Sequence, residues 1–95
     1  MQFTVLIFGA VMTLANYLAD SLYVAKLSQA EFAKKVGVTA SCVSLWLSGK
    51  RVPKIILLEK ISIVLAKAKR NKPQKELAIL VSHLLHDLKE SRNVG

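Results

Sequence analysis

Cysteine occurs once, at Cys42, proline twice and glycine four times in 95 residues, and only six residues are acidic. The lone thiol excludes an internal disulfide and any zinc site built on cysteines. Intracellular, cytoplasmic residence is the simplest reading of that count. So few Gly and Pro residues leave room for few turns, which predicts long helices rather than many short strands. Six carboxylates, no Gly-rich phosphate loop and no nucleophile with a marked partner give catalysis no support, so no enzyme and no cofactor are expected. No internal repeat and no low-complexity stretch is present. The length fits one small domain and excludes a two-domain enzyme. With 53% of residues hydrophobic, the chain has enough apolar surface to offset the entropy of ordering. The expected fold is a small all-α bundle of about five helices.

What is abundant is positive charge, and it is concentrated. Fourteen Lys and Arg give a formal net charge of +8. Residues 1–25 hold a single charged side chain, Asp20, whereas residues 26–75 hold twelve Lys/Arg against Glu31 and Glu59. Residues 76–95 set Lys89 and Arg92 against Glu76, Asp87 and Glu90. A cationic middle between near-neutral flanks suits a polyanion, either nucleic acid or an anionic membrane surface; the bland alternative is a solvated basic face.

Residues 1–19 lack charge and touch the lower length limit for a membrane span, about 17 residues. Gln2, Thr4, Thr13 and Asn16 dilute the segment, no Lys or Arg precedes it, and Asp20 closes it. A membrane role is therefore not expected. A buried first helix with an apolar arm or oligomer contact is the alternative, and Met12 offers a second start in place of Met1.

Beyond this, helical periods take over. Leu14, Leu18, Leu22 and Ala25 form a stripe over residues 12–26. Ser28 and Glu31 form an S-x-x-E capping box with Leu27 as a hydrophobic staple. The helix they open buries Phe32, Ala33 and Val36 and ends after about nine residues at Gly37. Val38 turns back to the core and Thr39 caps a second short helix over residues 40–48, with Val43 and Trp46 inward and Ala40, Ser41 and Ser44 outward. Gly49 ends it. Pro53 suits the first turn of a helix over residues 53–69, predicted to bury Ile56, Leu57, Ile61, Val64 and Leu65. Pro73 opens the last helix, with Leu77, Leu80, Val81, Leu84 and Leu88 on one stripe. The chain thus divides into residues 1–72, carrying the short helix pair and the apolar extension 1–19, and an amphipathic helix over residues 73–95.

Two short helices joined by a tight Gly turn make a helix-turn-helix. Residues 27–53, LSQAEFAKKVGVTASCVSLWLSGKRVP, resemble the lambda-repressor and Cro-like family, and the likeness extends more loosely over residues 12–66. It rests on Gln29 opening the first helix, Ala33 at the helix crossing, Gly37 in the turn, Val43 and Trp46 in the core, and Ser48, Gly49 and Lys50 closing the unit. The resemblance implies a DNA-binding transcriptional regulator that acts as a dimer on operator DNA, of phage-repressor or antitoxin type, with phosphate contacts at the closing loop. Elementary geometry agrees, because a helix about 10–12 Å across fits a major groove about 12 Å wide. Ala40, Ser41, Ser44 and Leu45 are then the base-reading candidates. Gln29, Thr39, Ser48, Lys50, Arg51 and Lys54 are the phosphate-binding candidates, with Lys34 and Lys35 adding to the field. The face departs from relatives that place Arg, Gln or Asn there, which leaves hydroxyl bonds and methyl contacts for direct readout and gives DNA shape and dimer spacing more to do.

Other constellations are weaker. His83 and His86 with Asp87 share a helix face but lack a further ligand, so no metal site is expected. Cys42 reads as a small core residue. The seam Leu77, Leu80, Leu84 and Leu88, or Phe3, Leu6, Ile7 and Phe8, could pair with a twin; alternatively the last helix packs on its own domain. The rival function keeps the fold but uses Leu45 and the apolar N-terminal or C-terminal helix on a protein partner, as an adaptor or membrane-associated regulator.

Overall fold

The first described turn forms where the Thr13 hydroxyl accepts the Asn16 amide at 3.1 Å, capping α1 (Leu14–Ala25). The computed structural model describes residues 13–94, with side chains through residue 89; the arm containing Phe3, Leu6, Ile7 and Phe8 lies outside the described residues. Four further helices follow: α2 (Gln29–Val36), α3 (Ala40–Leu47), α4 (Ile55–Lys69) and α5 (Pro73–Val94). No strand occurs among the described residues, and the fold is the all-α bundle that the turn count predicts. None of the described helices is long and apolar enough to cross a membrane.

The helix ends follow local chemistry. Ser28 and Glu31 exchange bonds of 3.1 and 2.9 Å in the expected capping box. Gly37 (φ 92°) and Gly49 (φ 79°) close α2 and α3 in the left-handed region. Lys26 and Arg70 close α1 and α4 with φ of 58° and 56°, positions where glycine is the usual choice and where the sequence carries no such signal.

The helical stripes meet in one core of Leu14, Leu18, Leu22, Phe32, Val36, Val43, Trp46, Leu58, Ile61, Leu65, Leu80 and Leu84. At about 1.5–3 kcal/mol for each fully buried large side chain, this is the main favourable term in folding. Two expectations are corrected on α4. Ile56 is 65% exposed and Leu58 is buried in its place. Pro53 is not in the first helical turn but is buried in the loop before it. The Lys54 carbonyl accepts the Leu57 and Leu58 amides (2.9 and 3.1 Å), which starts the helix at Ile55. The cause is phase: Leu58, Ile61 and Leu65 fit one inward stripe, with Leu57 and Val64 on its flank. In the last helix Leu80 and Leu84 are buried in the chain's own core and Leu77 packs against it, while Leu88 at the end of the stripe is half exposed.

Charge holds α1, α4 and α5 together. Glu76 of α5 is 1% exposed, and Lys69 of α4 meets its Oε2 at 3.0 Å. Tyr17 donates its phenol to Glu76 Oε1 (2.7 Å) and Asn71 its amide to Oε2 (2.9 Å). Lys69 also donates to the Tyr17 and Ser21 oxygens of α1 at 3.1 and 3.2 Å. Nearby, Asp87 accepts the Leu14 amide at 3.1 Å, and the His83 ring lies against Tyr17 with centroids 4.9 Å apart. Burial pushes the Glu76 carboxyl up, but bonds from Tyr17, Lys69 and Asn71 together with the Lys69 charge outweigh it and hold the carboxyl below its ordinary value. Burial likewise pulls Lys69 down, and its bonds to Tyr17 and Glu76 reverse the sign and raise it.

Because the Glu76 pKa is depressed on folding, its stabilisation is complete above the ordinary value of 4.5 and is lost as pH falls through the folded value. The raised Lys69 contributes stability that is full below its ordinary 10.5 and is lost as pH rises beyond it. Glu76→Gln leaves the Lys69 ammonium without its counter-charge. It is expected to cost about 3 kcal/mol in urea unfolding at pH 7, near the low end for a broken buried pair because Lys69 keeps some solvent contact. The same variant should flatten the acid limb of stability against pH.

Candidate nucleic-acid interface

The short helix pair begins with the capping box at Ser28. It consumes the Glu31 amide and leaves the Gln29 and Ala30 amides facing outward at the positive end of α2. Gln29 is exposed beside them. Burial of Phe32, Ala33 and Val36 fixes the opposite face of α2 against α3 and α4. At the turn, the Gly37 and Val38 amides both bond the Ala33 carbonyl, at 2.8 and 2.9 Å, and Val38 packs against the core as expected. A residue tolerant of positive φ closes α2 and lets the N-cap of α3, Thr39, follow two residues later.

The inner side of α3 is held by Val43 (0% exposed) and Trp46 (3%). Ala40, Ser41 and Ser44 lie exposed on the other side, so the structure brings these three base-reading candidates together on one open face. Leu45 stands at the margin, half-buried, and Cys42 and Leu47 are half-buried against the core. Thr39 is occupied as the cap of α3, its hydroxyl oxygen accepting the Cys42 amide at 3.2 Å. The Ser48 hydroxyl is turned inward as well, donating to the Leu45 carbonyl at 3.1 Å.

Beyond Ser48 the chain stays anchored to α3. The Lys50 and Arg51 amides both bond the Leu45 carbonyl, at 3.1 and 3.2 Å, with Gly49 at positive φ between. Lys50, Arg51 and Lys54 thus project from a fixed base and are all exposed. Among the described residues no carboxylate lies within ion-pair distance of Lys50, Arg51 or Lys54. An amide-rich helix start, an open helical face and a fixed cationic loop are what a phosphate backbone and a groove require together.

The basic middle of the sequence does not act as one block. Lys54 caps the start of α4 and Lys67 lies thirteen residues along it, a separation of about 20 Å at 1.5 Å per residue. The charge run at residues 67–72 therefore sits at the far end of α4 from the Lys50 loop, and its Lys69 is spent on Glu76. Composition could not reveal that Lys69 is internal; its only sequence signal is an acidic residue seven positions on. No cluster of three or more His, Cys, Asp or Glu residues among those described could hold a metal ion.

Residues 25–68, from the last residue of α1 almost to the end of α4, match the protein-family model described as Helix-turn-helix. Over that span, just under half of the chain, the sequence is similar to the lambda-repressor/Cro-like helix-turn-helix family. That family is one of DNA-binding regulators. No curated protein and no solved structure matches the chain.

Gly37 supplies a direct check on the turn. A Cβ there meets no atom within 4 Å, so any cost of substitution comes from the backbone alone. Gly37→Ala should lower stability by about 1–2 kcal/mol, and Gly37→Asn by less, as measured by chemical unfolding.

Proposed function

We propose that this chain is a sequence-specific transcriptional regulator that binds operator DNA as a homodimer, with α3 in the major groove. The observation that carries it is the exposed Ala40, Ser41 and Ser44 face on a helix whose other side is locked by Val43 and Trp46, flanked by unpaired Lys50, Arg51 and Lys54. In this reading Ser41 and Ser44 offer hydroxyls to base edges, and Ala40 and Leu45 offer apolar contact to thymine methyls. Gln29 and the α2 amides take one phosphate, while Lys50, Arg51 and Lys54 take those beyond the other end of α3. Thr39 can donate its hydroxyl proton to phosphate while its oxygen stays in the cap; Ser48 must first release the Leu45 carbonyl. Repression at a phage-type or antitoxin-type operator fits a unit this small.

Groove spacing supports the dimer in this reading. Half-sites one helical turn apart lie about 34 Å from each other. The molecule extends 33 × 31 × 22 Å, so two copies side by side match that interval. Leu85 and Leu88, 59% and 48% exposed, remain on α5 as apolar contacts for a second copy.

A salt titration of duplex binding tests the proposal. Log K should fall linearly with log salt, and Lys50→Ala should lower the slope by about one and weaken all sequences alike. A nearly salt-independent interaction would instead favour an apolar protein interface. Ser44→Ala should cost about 1 kcal/mol at particular base pairs only, read by competition among single-base operator variants.

A further inference from the structure

We propose that the groove between α2 and α4 is a docking site for an acidic amphipathic segment of a partner protein. The groove has a volume of about 380 Å³ and is lined by Lys35 from the last turn of α2 and by Ile63, Val64, Lys67 and Ala68 from α4. Its floor is aliphatic. Val64 packs on the core behind it, and Ile63 is 55% exposed. Lys67 has no carboxylate within ion-pair distance among the described residues, and Lys35 has only the exposed Glu31 one turn back on its own helix. An aliphatic anchor between carboxylates satisfies both properties at once, covering Ile63 and pairing with Lys35 and Lys67.

Other occupants fit less well. Duplex DNA brings phosphates but no side chain to cover the floor, and the α4 lining of the groove lies about 14–21 Å along that helix from Lys54. A second copy brings few acids. Glu76 is buried, Glu31 closes a capping box, Asp87 caps α1, and the exposed Asp20 and Glu59 stand on different helices, so no acidic stripe among the described residues is left to meet the groove. Because the groove is distinct from the α3 face, a partner could sit here while DNA is bound.

The test uses the full chain, labelled with nitrogen-15, titrated with a synthetic helical peptide of about fourteen residues carrying a leucine stripe flanked by glutamates. Saturable shift changes are expected at Lys35, Ile63, Val64, Lys67 and Ala68. Ile63→Ser should weaken the peptide about tenfold and Lys67→Gln about threefold. Both residues are exposed, and circular dichroism and duplex binding should stay close to wild type. Equal binding of a peptide with its leucines replaced by serine would reduce the site to bulk charge and overturn the proposal. So would shift changes confined to the α3 face, shifts at Ile63, Val64 and Lys67 on adding duplex DNA, or no saturable binding.

Discussion

One carboxylate sets the architecture. Glu76 is almost wholly removed from water, and it stays charged only because donors from three segments converge on it: Tyr17 from α1, Lys69 from α4 and Asn71 from the turn before α5. Any slip of α5 along α4 by one residue would rotate Glu76 by about 100° and strand the Lys69 ammonium. The node therefore fixes register where apolar contacts alone would tolerate sliding. With α4 fixed, Leu58, Ile61 and Leu65 offer α1 and α2 a single surface, and α3 is seated against α1 and α2. The open face of α3 inherits its orientation from a salt bridge on the other side of the domain.

The same node explains why net charge is a poor guide to where a polyanion would bind. The sequence concentrates twelve Lys/Arg in residues 26–75, yet the structure spends Lys69 internally and distributes the remainder over several helices and loops. Lys50, Arg51 and Lys54 lie beside the α3 face; Lys67 and Arg70 lie at the distant end. Within a Debye length of about 10 Å the two groups act as separate fields. One small domain thus presents two cationic surfaces of different texture, one beside a polar helix and one beside aliphatic side chains.

Much of this was legible from local chemistry. The Ser28 and Glu31 box, Thr39, Gly37 and Gly49 act within a few residues of themselves, and each appears where the sequence places it. What failed depends on partners distant in sequence. The run Ile55, Ile56, Leu57, Leu58 is apolar throughout, so periodicity cannot choose its inward members; packing against other helices buries Leu58 and exposes Ile56. Lys26 and Arg70 adopt left-handed backbone because the next helix must begin at once. Glu76 looks like an ordinary first-turn acid until Tyr17, fifty-nine residues away, is brought to it. Of the DNA-contact candidates, spacing anticipated the exposure of Ala40, Ser41 and Ser44, but not that Ser48 turns its hydroxyl to its own helix.

The thin chemistry of the α3 face bears on how the proposed regulator would discriminate between sites. Two serine hydroxyls at about 1 kcal/mol each supply roughly 2 kcal/mol of direct readout per copy. Specific DNA binding typically exceeds non-specific binding by about 4–10 kcal/mol. One copy falls short of that range and two copies reach only its lower edge. Methyl contacts from Ala40 and Leu45 would add to this, and the rest would come from sequence-dependent deformation of the duplex, sensed through phosphates held at a fixed spacing. A loop tied by two amides to the Leu45 carbonyl is suited to that role, because cations on a fixed base penalise any duplex whose backbone does not follow them. Rigidity at the α3–α4 junction, rather than variety on the reading face, is the feature on which selectivity would depend.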